Sequence, residues 1–391
     1  IGFTDANVKV GNTALDSLTT GNNNTAVGNN ALTANTTGTS NSAVGKDALA
    51  ANTTGDANVA IGVQALEANT TGESNVSIGV NALEDNTTAS NNTAVGRYAL
   101  RVNTTGTQNV AVGSGALDAN TTANNNTAVG HACLGANTTG ANNTGIGEQS
   151  LEVSTTGSGN VAVGQKALHA NTTADNNTAV GLEALAANTT GANNTAIGYH
   201  ALHTPTGKTG LTAVGYEALK LNSTGSNNHA FGFEALANNS TGNYNNAFGH
   251  QALESNTDGN RNCAFGLNAL FSNTTTNDNT AVGHAALTEN TGNYNTAVGS
   301  LALDANTTAD NNTAIGYNAL GANTTAERNT AVGKAALENN TTGSDNVAVG
   351  KDTLEENTTG SQNTACGVNA LDANTTADNS TAFGFNALTS S

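Results

Sequence analysis

Residues 58–74 read NVAIGVQALEANTTGES, and residues 75–91 read NVSIGVNALEDNTTASN. The same pattern continues through the chain, whose 391 residues equal 23 units of 17. In a chain that repeats at a fixed period, length alone does not indicate the number of domains. Each unit must stack on its neighbours to bury its apolar side chains, so the units form one array. The sequence therefore predicts a single repeat array over residues 1–391. Because methionine is absent, we expect this array to be a fragment of a longer fibre.

Each unit contains a glycine that is followed four residues later by a leucine, beginning with Gly11 and Leu15. The glycines are 17 residues apart except for one step of 16, between Gly283 and Gly299. Helical-hairpin repeats need about 33 residues or more, so a 17-residue unit is too short for one. A short strand, a glycine bend, an Ala-Leu segment and an Asn-Thr-Thr-Gly turn fit one coil instead. The sequence predicts an all-β fold, a parallel β-solenoid of about 23 coils of 17 residues.

Alternation within the strand places its Val or Ile residues on one face and its central Ala on the other. We expect Val180 and Leu185 to fill the core, Gly181 to form the bend and Asn188 to join a ladder of stacked amides. Ala179 would then face outward. Its restriction to small residues across the units predicts close contact with another solenoid, which favours three solenoids packed about an axis.

Composition excludes several classes of function. The chain has 11 basic and 29 acidic residues, a net charge of −18, which argues against binding to nucleic acid or to anionic membrane surfaces. No apolar run approaches the ~20 residues of a membrane-spanning helix. Cys133, Cys263 and Cys366 lie too many coils apart for a disulfide within the chain and are expected to act as small apolar residues.

No catalytic motif is evident. The chain has no HExxH, Gly-x-Ser-x-Gly or Cys-x-x-Cys pattern, so we expect no enzymatic activity and no cofactor or bound metal. His200 and His203 stand beside the irregular segment 203–208, which we interpret as a turn that departs from the repeat. The repeated Asn-x-Thr sequons are acceptors for glycosylation if the source modifies them, although the ladder and the turn explain the same residues.

One variable position becomes aromatic in the middle of the chain. The residue after the repeat glycine is Tyr199, Tyr216, Phe233 and His250 in four successive units. On a solenoid these four residues lie in one column, and we call them the aromatic ridge. An exposed apolar stripe is a candidate binding surface for a sugar or a protein. The alternative is core variation or lateral packing in a thicker section of the solenoid.

Two segments resemble known repeats. Asn-Val-Ala-Ile-Gly at 58–62 and Asn-Val-Ser-Ile-Gly at 75–79 resemble the head repeat of YadA-like trimeric autotransporter adhesins, and residues 312–325 resemble repeats of tail-fibre proteins. The resemblance implies a left-handed, trimeric β-roll used for display and attachment at a cell or virion surface. The adhesin repeat is ~14 residues long, so this chain has three extra residues per coil.

Together these features predict an extracellular structural fibre or filament, such as an adhesin stalk or head or a tail-fibre shaft, without catalysis. Its expected partners are further copies of itself, as a trimer or an end-to-end filament, and a glycan or protein of a host surface. The alternative is a solenoid whose surface binds ice or glycans. The sequence disfavours ice binding because the paired threonines, as at Thr36 and Thr37, are adjacent and would diverge in an extended chain.

Overall fold

The computed structural model of this chain describes residues 2–4, 6–205 and 207–389. These residues form 24 short β-strands joined by turns, and none of them is helical. The chain divides into two compact units, Ile1–Asn194 and Thr195–Ser391. Each unit is a stack of coils, and the organisation of residues 1–391 as a single array stays a prediction.

The strands of the first unit are β1 Gly2–Thr4, β2 Asn7–Val10, β3 Thr25–Val27, β4 Ser42–Val44, β5 Val59–Ile61, β6 Val76–Ile78, β7 Thr93–Val95, β8 Val110–Val112, β9 Thr127–Val129, β10 Thr144–Ile146, β11 Val161–Val163 and β12 Thr178–Val180. The strands of the second unit are β13 Thr195–Ile197, β14 Thr212–Val214, β15 His229–Phe231, β16 Asn246–Phe248, β17 Cys263–Phe265, β18 Thr280–Val282, β19 Thr296–Val298, β20 Thr313–Ile315, β21 Thr330–Val332, β22 Val347–Val349, β23 Thr364–Cys366 and β24 Thr381–Phe383.

Within each unit, successive strands from β2 onward pair in parallel, and equivalent residues face each other. Ala60 pairs with Ser77, one repeat later. At the 16-residue repeat, Thr280 pairs with Thr296, so the deletion is absorbed outside the strands. This register confirms the all-β parallel solenoid predicted from the sequence. Its handedness and its oligomeric state stay predictions.

The first strand departs from this pattern. Gly2 pairs with Lys9 in an antiparallel ladder, so β1 covers the edge of β2 opposite β3. An uncovered strand edge offers unpaired N–H and C=O groups to other chains. The repeat pattern did not predict β1, because these residues precede the first recognisable unit.

The repeat glycine is fixed by close approach between coils. Gly28 has a φ of 141°, and a Cβ atom at this position would collide with the carbonyl oxygen of Gly45 in the next coil. Both the backbone conformation and the contact exclude any larger residue.

The repeat leucine lies inside each coil in an unusual conformation. Leu66 is fully buried and has a φ of 54°, in the left-handed region, where a residue with a side chain is disfavoured by about 1–2 kcal/mol. Burial of a leucine side chain stabilises by about 1.5–3 kcal/mol, which offsets that cost. The leucine was predicted to line the core, whereas its backbone conformation was not predicted.

The predicted orientation of the strand was wrong. Ala179 is fully buried and Val180 is only half-buried; in another coil Ala60 is 0% exposed while Ile61 is 41% exposed. The central alanines therefore face the interior of their own coil, and the Val and Ile residues face outward. Alternation defines two faces of a strand but does not show which of them is inside. The Val and Ile face was assigned to the interior because it is the more hydrophobic, and that assignment was wrong. The close contact with another solenoid that was inferred from alanine therefore has no basis.

The interior accepts alanine because the strand lies close to the Ala-Leu segment. At Gly145, where glycine replaces the usual strand alanine, an added Cβ would lie 2.5 Å from Sγ of Cys133. Cys133 itself replaces the alanine that normally precedes the leucine. A larger residue on one side is thus matched by a smaller one on the other, as expected for an interior packed at high density.

Two ladders of buried asparagines pair the hydrogen-bonding groups inside the solenoid. Nδ2 of Asn52 donates to Oδ1 of Asn35 at 2.9 Å, which places the predicted ladder inside the solenoid, and Asn188 is buried in the same column. A second ladder was not predicted: the backbone N–H of Asn58 donates to Oδ1 of Asn41 at 2.9 Å. Buried amides of this kind are stabilising only when their donors and acceptors are paired.

Candidate functional site

The aromatic ridge lies in the second unit, where the coils bring its four residues into one stack. Ring centroids are 5.2 Å apart between Tyr199 and Tyr216, 5.1 Å between Tyr216 and Phe233, and 4.9 Å between Phe233 and His250. The planes of neighbouring rings differ by only 8–13°. The backbone fixes this spacing, because N–H of Glu234 donates to the carbonyl of Tyr216 at 2.9 Å in the preceding coil. The role of the ridge in binding stays a prediction.

A second aromatic stack lies on the other side of the glycine column. Phe231, Phe248 and Phe265 occupy the last position of β15, β16 and β17, and their centroids are 4.6 Å apart at both steps. The glycines between the two stacks have no side chain. This part of the second unit therefore presents two aromatic columns with bare backbone between them.

The arrangement of the rings limits what the ridge can bind. Tyr199, Tyr216 and Phe233 are each about two-fifths exposed. Because neighbouring rings are nearly parallel, each ring covers part of the face of the next, and solvent reaches mainly the ring edges. A sugar that stacks on an aromatic ring needs an open face, so the ridge is better suited to apolar side chains and to donors that bind the tyrosine hydroxyls.

Acidic side chains follow the ridge. Glu217 and Glu234 each come directly after a ridge residue, and Nζ of Lys220 pairs with Glu217 at 3.0 Å. Partial desolvation, together with the neighbouring Glu217 carboxylate, raises the pKa of Tyr216. Burial and the nearby Glu234 carboxylate raise the pKa of Glu254. The acidic strip was not predicted, although the aromatic-Glu dipeptides at 216–217 and 233–234 are a sequence signal for it.

Two histidines adjoin the start of the ridge. His200 stacks on Tyr199 with centroids 3.8 Å apart, and its ring lies 4.8 Å from that of His203 at an interplanar angle of 46°. Nδ1 of His200 is 3.8 Å from Oε1 of Glu217. The segment interpreted as an irregular turn thus also brings two imidazoles together, although Thr206 within it lies outside the described residues.

An open depression of about 380 Å³ marks the surface of the first unit. It forms where Gly135 leaves a gap in a column between Asp118 and Glu152. Asp118 pairs with Arg101 at 3.0 Å and Glu152 with His169 at 3.3 Å, so both carboxylates have cationic or ionisable neighbours. Burial raises the pKa of Asp118, although the Arg101 guanidinium opposes this shift. We regard the depression as a consequence of a small residue in a variable column.

The three cysteines occupy separate coils and differ in environment. Cys133 is fully buried, and desolvation raises the pKa of its thiol to about 11. Cys263 and Cys366 lie at outward positions of β17 and β23 and are half-buried.

The fold defines this chain as a tandem-repeat parallel β-solenoid protein. No family model matches the chain, and no curated protein matches it either. Within the described residues, no helix has the length and apolar character required to cross a bilayer.

Proposed function

We propose that this chain is a structural segment of an extracellular attachment fibre, at a cell or virion surface, and that it displays binding surfaces without catalysing a reaction. One observation carries this proposal. The columns that face inward are nearly constant alanine, leucine and asparagine, whereas the columns that face outward vary from coil to coil. A scaffold with a fixed interior can change its surface without losing stability, which suits display.

Self-association is proposed through the outer face of the strands. We define the strand face as the first and third residues of β3–β24. These positions hold Thr, Val, Ile, Phe and a few other uncharged or weakly basic residues, but no Asp, Glu, Lys or Arg. In a chain of net charge −18, the strand face brings no acidic side chains against each other when two copies meet, and it can pack against an equivalent sheet.

Light scattering tests the self-association. A trimer has three times the monomer mass of 38.7 kDa. Ile315 is 41% exposed on the strand face, so Ile315→Lys leaves the coil interior intact and should lower the average mass at low protein concentration by weakening the oligomer. Thr308→Lys, at an exposed turn position, is the matched control and should remain oligomeric. A parent protein that is monomeric at all concentrations would remove this part of the proposal.

Attachment is proposed through the aromatic ridge, with a protein surface that combines apolar and basic side chains as the favoured partner. The exposed ring edges support the apolar contact, and Glu234 and Glu254 support the basic one. Printed arrays of basic and neutral peptides and of glycans distinguish the partners. The double variant Tyr216→Ser, Phe233→Ser should lose binding to basic peptides, while Tyr294→Ser, which removes an aromatic residue that is 58% exposed outside the ridge, should retain it. Equal binding by the two variants, or binding to glycans alone, would contradict this partner.

The strand face also favours a second candidate function, the binding of ice. The adjacent threonines that disfavoured this function from the sequence lie in the turns, but Thr280, Thr296, Thr313 and Thr330 form a run of outward threonines in successive strands. A regular column of hydroxyls and methyls at a spacing of about 4.8 Å can order water. Thermal hysteresis that is abolished by Thr313→Lys would support ice binding, and its absence from the parent protein would reject it.

A further inference from the structure

We infer that His200 and His203 form a binding site for a divalent transition-metal ion, of which Zn²⁺ is the best-suited example. The two imidazoles belong to the same coil of the second unit, and both are half-buried. Their nearest ring nitrogens lie within 4.8 Å of each other. Imidazole nitrogen is a preferred ligand of Zn²⁺, Ni²⁺ and Cu²⁺ but not of Ca²⁺ or Mg²⁺.

The geometry of the rings fits a shared ion. Two imidazoles that bind one tetrahedral Zn²⁺ through Zn–N bonds of about 2.0–2.1 Å have their centroids about 5 Å apart. The centroids of His200 and His203 are 4.8 Å apart, and their planes are tilted by 46°. The spacing of the two rings therefore matches that of two imidazoles on one ion.

The surrounding structure orients the His200 ring. Tyr199 stacks on one face of His200, and Nδ1 of His200 is turned toward Glu217, which makes Nε2 the metal-binding atom of this ring in our proposal. A carboxylate beside the second nitrogen of a metal-binding imidazole fixes the ring orientation and raises its basicity.

The backbone between the two histidines is equally constrained. N–H of Leu202 donates to the carbonyl of Ala218 at 2.9 Å, and N–H of Thr204 donates to that of Lys220 at 3.2 Å. Oγ1 of Thr204 also donates to the carbonyl of Lys220, at 2.9 Å. Ligands on a backbone that is fixed in this way need little reorganisation on binding.

A metal at this position would add a function to the aromatic ridge, because His200 stacks on its first residue. Glu183 offers a carboxylate oxygen within 4.8 Å of both imidazoles, so three protein ligands leave the remaining coordination position to water or to a donor atom of a bound partner. This inference does not depend on the attachment function, since metal binding is measured on the chain alone.

The experiment is a titration of the chelator-treated full-length protein with zinc chloride, followed by calorimetry. We expect one site per chain that is lost in the double variant His200→Gln, His203→Gln and weakened by at least about tenfold in each single variant. His284→Gln, which removes an exposed histidine of the same unit, is the matched control and should bind as the parent does. Glu217→Gln should weaken binding less than loss of either histidine.

Spectroscopy on the parent protein keeps the test independent of folding of the variants. Cobalt(II) added in place of zinc should give visible absorption bands that zinc displaces, and the ring signals of two histidines should shift together. Circular dichroism in the presence of a chelator shows whether the double variant retains the parent fold. Undiminished zinc uptake by the folded double variant, or shifts confined to other histidines, would overturn the inference.

Discussion

The pair formed by Cys133 and Gly145 provides a quantitative test of which residues lie inside the coil. A Cβ added at Gly145 would lie 2.5 Å from Sγ of Cys133, whereas ordinary contacts between such atoms are at 3.4–4 Å, so one group must move by about 1 Å. Overpacking of this kind costs about 1–3 kcal/mol, and Gly145→Ala should destabilise the protein by that amount. Cys133→Ala removes a buried sulfur and should cost roughly 1 kcal/mol.

The double variant Cys133→Ala, Gly145→Ala should be close to the parent in stability. It restores the Ala-Ala pair found in other coils, such as Ala116 with Ala128. The losses of the two single variants sum to about 2–4 kcal/mol while the double variant loses almost nothing, so the substitutions should be coupled by about 2–4 kcal/mol. Equilibrium unfolding in guanidinium chloride measures the four members of the cycle, and hydrogen exchange of the amides near residue 145 locates the effect. Additive effects, or a neutral Gly145→Ala, would refute the assignment of the strand alanines to the interior.

Three further predictions concern a ladder, a thiol and an ion pair. Ser154 interrupts the first asparagine ladder and leaves Oδ1 of Asn137 without a hydrogen-bond donor, so Ser154→Asn should raise the free energy of unfolding by about 1 kcal/mol, as measured by denaturant unfolding. Because burial raises the pKa of Cys133 to about 11, an alkylating reagent followed by mass spectrometry should modify Cys366 first and Cys133 only on unfolding; early modification of Cys133 would contradict its burial. The guanidinium of Arg261 lowers the pKa of Asp278 from its ordinary value of 3.8, so this ion pair stabilises the fold fully above pH 3.8. The difference in unfolding midpoint between the parent and Arg261→Gln should therefore disappear as the pH falls through the lowered pKa of Asp278.

The sequence was sufficient to predict the solenoid because its strongest constraints recur in nearly every coil. A glycine whose φ is near 140° and a leucine four residues later recur at fixed positions, and a stacked asparagine recurs in most coils, so the period and the strand could be recognised. The column of ridge residues followed directly from the period. Stacking of Tyr216 on Phe233 is a consequence of the coil spacing, which the period alone implies.

Other features depend on distances that the period does not contain. Whether Ala179 or Val180 faces inward is decided by the narrow separation of the strand from the Ala-Leu segment, and hydrophobicity favours the opposite choice. The second asparagine ladder was missed because Asn58 looks like a turn residue until its side chain is seen to bind the adjacent coils. Between His200 and His203 the backbone is left-handed at both His200 and Leu202, a conformation that their residue types do not specify.

The central claim is that each repeat advances the chain by one coil in register, and a distance between spin labels tests it most directly. Val282 and Val349 are both 39% exposed on the strand face of the second unit and are four coils apart. Spin labels at these two positions, in a background without the native cysteines, should give a narrow distance distribution near 19 Å, since each coil adds about 4.8 Å. A broad distribution, or a mean distance above about 30 Å, would contradict stacking at one coil per repeat.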